Sequence, residues 1–284
     1  MRYNFLRFPG GKFKAVTLSY DDGIKDDIRM LEILNKYGIK STFNLNSDWM
    51  NWNDRIPIET IRSELLSKGH EIAVHGAEHI APGVARPEIV IADILRCREG
   101  LEKKFGLIIR GMAYPDSGIT RMHGENTYEN IRSYIASLGI VYARTLGGDN
   151  KSFMLPVDFL KWMPSCHHSN PELAQYVDAF LSIKENELRS ANRYPRLFYL
   201  WGHSFEFERE NNWEILENFC ERMSGKDDTW YATNIEIYEY VEAFNRLVTS
   251  VDGKKIYNPT LKTIWMDIDG VQYKVESGET IQVK

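Results

Sequence analysis

Hydrophobic positions along the chain alternate with a period of two, then of 3.6, and the exchange repeats through most of its length. Lys14–Tyr20 reads as a strand, with Val16, Leu18 and Tyr20 on one face and Ala15, Thr17 and Ser19 on the other. Ile28, Leu31, Leu34 and Tyr37 then form one helical face that runs from Asp26/Asp27 to Gly38, a residue suited to end a helix. The same exchange predicts strands at Ser41–Leu45, Glu71–His75, Leu107–Tyr114, Ile140–Thr145, Arg196–Gly202 and Thr229–Thr233, with an additional strand at Asp158–Met163 after a polar loop at Gly147–Ser152. Helices are predicted at Ile58–Lys68, Pro87–Phe105, Tyr128–Leu138, Pro171–Leu188, Trp213–Met223 and Ile235–Val248. About seven strands in βα alternation imply right-handed crossovers and a parallel sheet, open or closed into a barrel. The period changes after Pro259. Thr263–Ile268, Val271–Val275 and Thr280–Val283, punctuated by Asp269-Gly270 and Ser277-Gly278, predict a β-meander. The expected domains are an α/β unit over 1–258 and a β extension over 259–284.

Composition narrows the function classes. The chain has 284 residues and a net charge near −5, and no basic stripe, which argues against a nucleic-acid partner. No apolar run is long enough to span a membrane, and the first residues lack the apolar core of a signal peptide, so a cytoplasmic location is the expectation. Cys97, Cys166 and Cys220 are widely spaced and form no CxxC pair, so they read as ordinary thiols.

The polar residues that matter stand at strand ends. Asp21 and Asp22 follow the first long strand, His75 a later one, Tyr114 another, and His203 the strand at 196–202. In parallel βα barrels the C-terminal strand ends share one rim, which would bring these distant residues together. Asp-Asp-Gly by itself is more often a helix N-cap, and two histidines four apart are often surface decoration. Jointly, His75, His79 and Asp22 make a two-His, one-carboxylate set that leaves a position for water, as catalytic zinc requires. The HExxH pattern of metalloproteases is absent, because the His after His70-Glu71 comes at 75.

TLSYDDG resembles the T-F-D-D-G motif of the polysaccharide deacetylases, the fourth family of carbohydrate esterases, and HGAEH resembles their H-[ST]-x-x-H motif. The resemblance runs from about Lys14 to His203. It implies an irregular (β/α)7-type barrel in which Asp21 is the general base, Asp22, His75 and His79 hold zinc or a related divalent metal, and His203 is the general acid. It implies removal of an acetyl group, N-acetyl more than O-acetyl, from a carbohydrate or sugar derivative; a homo-oligomer is compatible with the sequence. The third motif, R-x-P-Y, reads AYPDSG here, with Ala113 in place of Arg and Arg110 three residues early; the backbone N–H of Asp116 would be the oxyanion donor. The fourth, D-x-x-D-W, is represented by Asp158 and Trp162 at altered spacing, and the fifth places Trp201 where a leucine would line the acetyl pocket. Tyr114, Asp116, Trp162 and Trp201 are thus candidate substrate contacts. The competing readings are a hydrolase of cyclic imides or ureides on the same barrel, whose members often lack the metal triad, and a carbohydrate-binding protein without catalysis.

The remaining candidates carry plainer expectations. His70 reads as structural, and His167 and His168 as part of a solvated loop. Trp49, Trp52 and Trp213 suit either a sugar-stacking rim or the core.

Overall fold

The computed structural model describes residues 2–124, 126–146 and 149–284. Gly147 and Gly148, at the start of the expected polar loop, lie outside them. Its strands are β1 (Asn4–Arg7), β2 (Lys14–Asp21), β3 (Thr42–Leu45), β4 (Glu71–Val74), β5 (Gly111–Ala113), β6 (Tyr142–Arg144), β7 (Cys166–His167), β8 (Arg196–Gly202) and β9 (Thr229–Tyr231). Seven of these form a parallel, curled half-barrel in the order β6-β5-β4-β3-β2-β8-β7. β2 is the longest sheet partner. Its end pairs with β3 through Ser19–Asp21, its residues Lys14 to Tyr20 with β8, and its first three residues with β9. Every residue of β2 is buried, as expected for a strand covered on both faces.

Helices cover the outside of this sheet: α1 (Asp27–Tyr37), α2 (Ile58–Thr60, continuing as a π-helix over Ile61–Leu66), α3 (Pro87–Phe105), α4 (Tyr128–Ser137), α5 (Leu173–Ser182), α6 (Ser204–Glu210), α7 (Glu214–Met223) and α8 (Asn234–Asn245). Met30, Leu31 and Leu34 of α1 and Val90, Ile94 and Leu101 of α3 join Val16, Leu18, Phe43 and Val74 in one core. A second cluster lies inside the curl and toward the N-terminal strand ends, where Ala15, Leu197, Tyr199 and Trp162 meet Ile264, Met266 and Val275.

Several expected elements take another form. Asp158–Met163 is not a strand, because the Asp158 carboxylate accepts the amide of Leu160 (2.9 Å) and caps a 3₁₀ turn over Phe159–Lys161. Leu107–Tyr114 contracts to Gly111–Ala113, and Pro171–Leu188 to α5 with a separate 3₁₀ turn at Glu185–Glu187. β7 and α6 are additional, both too short to carry a periodic signal. The C-terminal antiparallel strands divide between two sheets. β12 (Ile264–Ile268) lies between β1 and β13 (Val271–Val275), while β14 (Thr280–Gln282) pairs with β11 (Lys255–Tyr257), whose other neighbour is β10 (Val248–Thr249). The N-terminal strand, unassigned from the sequence, is therefore half of what anchors the extension.

Candidate metal centre

The end of β2 and the turn after β4 are built to converge. Asp21 closes β2, and Asp22 turns into the left-handed region at φ +77°. His79 also has positive φ, +64°, so two of the three candidate ligands occupy backbone conformations that cost free energy in L-residues. Gly76 makes the HGAEH turn feasible: its φ is +75°, and an added Cβ would stand 2.5 Å from the Asp93 carboxylate. That carboxylate accepts the amide of Glu78 (2.8 Å) and fixes the turn that presents His79.

His75 Nε2 and His79 Nε2 face each other at 3.1 Å. Asp22 Oδ1 lies 3.7 Å from the first and 3.8 Å from the second. His75 donates its Nδ1 proton to the carbonyl of Ala113 (3.0 Å), which leaves the Nε2 lone pair aimed at the group. Burial holds the His75 pKa down, so the ring is neutral. Asp22 Oδ1 is itself buried with no hydrogen-bond partner among the described residues. Two ring nitrogens and an orphaned carboxylate oxygen thus converge on one point, the arrangement that the ligands of a cation take. The donor set fits a divalent metal of the zinc class.

Asp21 faces differently. Its Oδ2 is bonded by the Arg144 guanidinium and its Oδ1 by Asn44 Nδ2 (2.8 Å). His203 Nε2 is 3.8 Å from Oδ2. Burial raises the Asp21 carboxyl, yet Arg144, with His75 and His203, more than offsets this and holds it below its ordinary pKa. Arg144 is fully buried at the end of β6 and lies 4.2 Å from the centroid of the Trp201 ring. Sequence reasoning passed over Arg144. Its signal was a charged residue ending the apolar strand Tyr142–Arg144, in the step where Ala113 replaces the motif arginine.

His203 caps α6, and Glu206 in the first turn of that helix returns the contact through the His203 amide (3.3 Å). Burial draws the imidazole down, but Glu206 and then Asp21 more than offset this and raise it above its ordinary pKa. Glu206 was also missed. His167 and His168 are not a solvated loop: they end β7, and both approach Glu206 Oε2, at 3.2 and 3.1 Å, with His168 buried beneath Phe207. The parallel pairing of Cys166 with Leu200 and His167 with Trp201 puts them there.

The other candidates separate. Trp201 stands between Arg144 and His167 at the site. Asp116 is exposed, in the turn that follows β5. Tyr114 is buried on the outer face and donates to the Leu160 carbonyl (2.8 Å). Trp162 is buried edge-on against Tyr142 and Tyr199, below Arg144. Trp49 packs on His79 and stacks on Trp52, whereas Trp213 is buried against Phe207. Arg110 is bound to Glu239 away from the centre. His70 is structural: Nδ1 accepts the Ser41 amide (3.0 Å) while Nε2 contacts Asn35.

The fold is therefore a curled βα half-barrel whose strand ends bring Asp22, His75 and His79 together and set Asp21 and His203 beside them. Residues 8–142 match the family model described as polysaccharide deacetylase. Solved structures of the same fold include candidate polysaccharide deacetylases from Mycobacterium smegmatis (20% identity, 86% of this chain and 96% of that one, TM-score 0.57) and Pseudomonas aeruginosa PAO1 (13%, 82% and 92%, 0.55). An allantoinase is similar to the same degree (12%, 82% and 91%, 0.57). No curated protein matches the sequence. Among the described residues no helix is long and apolar enough to cross a membrane.

Proposed function

We propose that the protein is a metal-dependent hydrolase that removes an acetyl group, N-acetyl in preference to O-acetyl, from a carbohydrate or sugar derivative. The observation that carries this is the division of labour between adjacent acids: Asp22 joins His75 and His79, while Asp21 is turned to Arg144 and His203. A divalent cation, zinc by the donor set, would supply Lewis acidity to the acetyl carbonyl and acidify water. Asp21, kept ionised by Arg144, accepts the proton of the attacking water. His203, whose pKa Glu206 raises, gives a proton to the departing amine or alkoxide. The amide of Asp116 is the proposed donor to the developing oxyanion.

The test is metal analysis of the purified protein together with an acetate-release screen over acetylated mono- and oligosaccharides. Asp21→Asn should keep its metal and lose roughly 10²–10⁴-fold in rate, the usual share of a general base. Turnover of a cyclic ureide with no acetate released from any sugar would replace this reading with that of a different C–N hydrolase.

A further inference from the structure

The β2–β8 ladder ends at Tyr20 and Gly202, one residue short of both Asp21 and His203. Beyond it, the turn that carries the two acids is tied to the other side of the barrel: the Asp22 amide donates to the Asn44 carbonyl (3.0 Å), the Lys25 amide to Asp54 (2.8 Å) and the Ile56 amide to Gly23 (3.0 Å). The His203 amide instead donates to Glu206 of its own helix. The sheet alone therefore does not set the 3.8 Å between His203 Nε2 and Asp21 Oδ2.

One buried contact closes this gap. Ser204 Oγ donates to Asp27 Oδ1 at 2.5 Å, between residues 177 apart in sequence. Asp27 opens α1 just after the turn that carries Asp21 and Asp22, and Ser204 opens α6 directly after His203. Both residues are fully buried. The other polar link between these helices among the described residues, Arg29 with Glu208 at 3.6 Å, is exposed and contributes little. Burial pushes the Asp27 carboxyl up to about 8, with Asp22, Asp26 and Asp21 adding to it against the opposing pull of Ser204. Asp27 is thus a neutral acid at neutral pH, and its second oxygen, buried without a partner among the described residues, leaves no unpaired charge. A side chain that served only its own helix would accept an amide of the first turn; Asp27 bonds the other helix instead.

We propose that Asp27 is a positioning residue: through Ser204 it fixes the turn that carries His203 against the turn that carries Asp21. Its effect on turnover rests on the proposed acid–base pair, whereas the anchoring of His203 does not. A neutral carboxylic acid and a carboxamide offer Ser204 the same acceptor, so Asp27→Asn conserves the link, while Asp27→Ala and Ser204→Ala each cut it. The groups that face His203 are Asp21 and Asp22 from the first turn, Glu206 from its own helix, and His167 and His168 from β7. Glu206 moves with His203, so a loosened link lengthens chiefly the approach to Asp21 and Asp22, and the proton affinity of the imidazole falls.

The experiment compares wild type, Ser204→Ala, Asp27→Ala and Asp27→Asn as full chains whose bound metal has been matched by metal analysis. Acetate release from the N-acetylated sugar that reacts best in the screen gives kcat and KM. NMR gives the titration midpoint of the His203 imidazole, assigned by its absence from His203→Gln. Both alanine variants should lower kcat by roughly 10²-fold, the cost of about 1 Å of misplacement, with KM unchanged. Their His203 midpoint should fall by at least about 0.5 pH units, part of the roughly 1–3 units that an opposite charge at 4–6 Å supplies. Asp27→Asn should return both readouts to near wild type. Ser204→Ala, which removes only a hydroxyl, serves should Asp27→Ala fail to fold. A lower melting temperature with kcat and midpoint unmoved in the alanine variants would make Asp27 a purely structural residue and overturn the inference, as would an Asp27→Asn protein as impaired as Asp27→Ala. A wild type that releases no acetate from any sugar, with the midpoint still falling in Ser204→Ala, would refute the proposed function and leave the anchor standing.

Discussion

Arg144 offers the sharpest test of how the centre is held together. Its guanidinium is wholly buried, and its partner Asp21 is only 1% exposed. Arg144→Met keeps much of the volume but leaves the Asp21 carboxylate in the interior with Asn44 as its nearest remaining donor. Removing one partner of a buried pair costs about 3–5 kcal/mol, because the other charge stays desolvated. At about 2–4 °C per kcal/mol for a domain of this order, the melting temperature should fall by about 6–20 °C. Asp21→Asn should lose a similar amount by stranding Arg144. The double variant removes both charges and should be more stable than the sum of the single losses, with a coupling of about 2–3 kcal/mol. The assay is thermal and urea denaturation of all four proteins with metal removed by chelator, so that no cation compensates for the missing arginine. A fall of less than about 2 °C for Arg144→Met, below what 1 kcal/mol gives, would refute the argument. Strict additivity in the double variant would refute it equally.

Other expectations follow from the same geometry. Alanine at Asp22, His75 or His79 should each strip bound metal and abolish turnover while the fold persists by circular dichroism; full metal occupancy in His79→Ala would sink the assignment. His70 is buried neutral, with a pKa lowered from its ordinary value to about 4, so the folded state excludes a proton that the unfolded chain accepts below about 6.5. Its contribution is therefore complete above about pH 6.5 and lost as pH falls toward 4, on the order of 3 kcal/mol in all. His70→Gln should flatten the acid limb of the stability curve over that window; an unchanged slope in urea titrations would contradict the assignment. Deleting residues 259–284 removes the strands that pair with β1 and β11 and uncovers Leu6, Phe8 and Ile256. The shortened chain should melt lower or change its mass in solution yet still bind metal, as equilibrium dialysis would reveal; unchanged melting and mass with activity lost would mean that the extension reaches the catalytic rim.

The strand that carries Asp21 and Asp22, the HGAEH turn and the strand before His203 were all legible in the sequence, because each is a local pattern ending in a polar residue. The half-barrel was legible too, since alternation of the two periods is a property of consecutive residues. What escaped depends on neighbours in the sheet. β7 is two residues long and has no period of its own; only its pairing with β8 takes His167 and His168 out of solvent and sets them against Glu206. Arg144 shows the same principle most directly. The motif arginine is missing at Ala113, which along the chain looks like a broken site. In the sheet, however, Ala113 and Arg144 are register partners on adjacent parallel strands. The Arg144 guanidinium stands one strand over from Ala113, at the same height, and reaches Asp21. A loss read along one strand has to be checked against the residue paired beside it, because parallel strands offer the site equivalent positions about 4.8 Å apart, a gap that an arginine side chain can span.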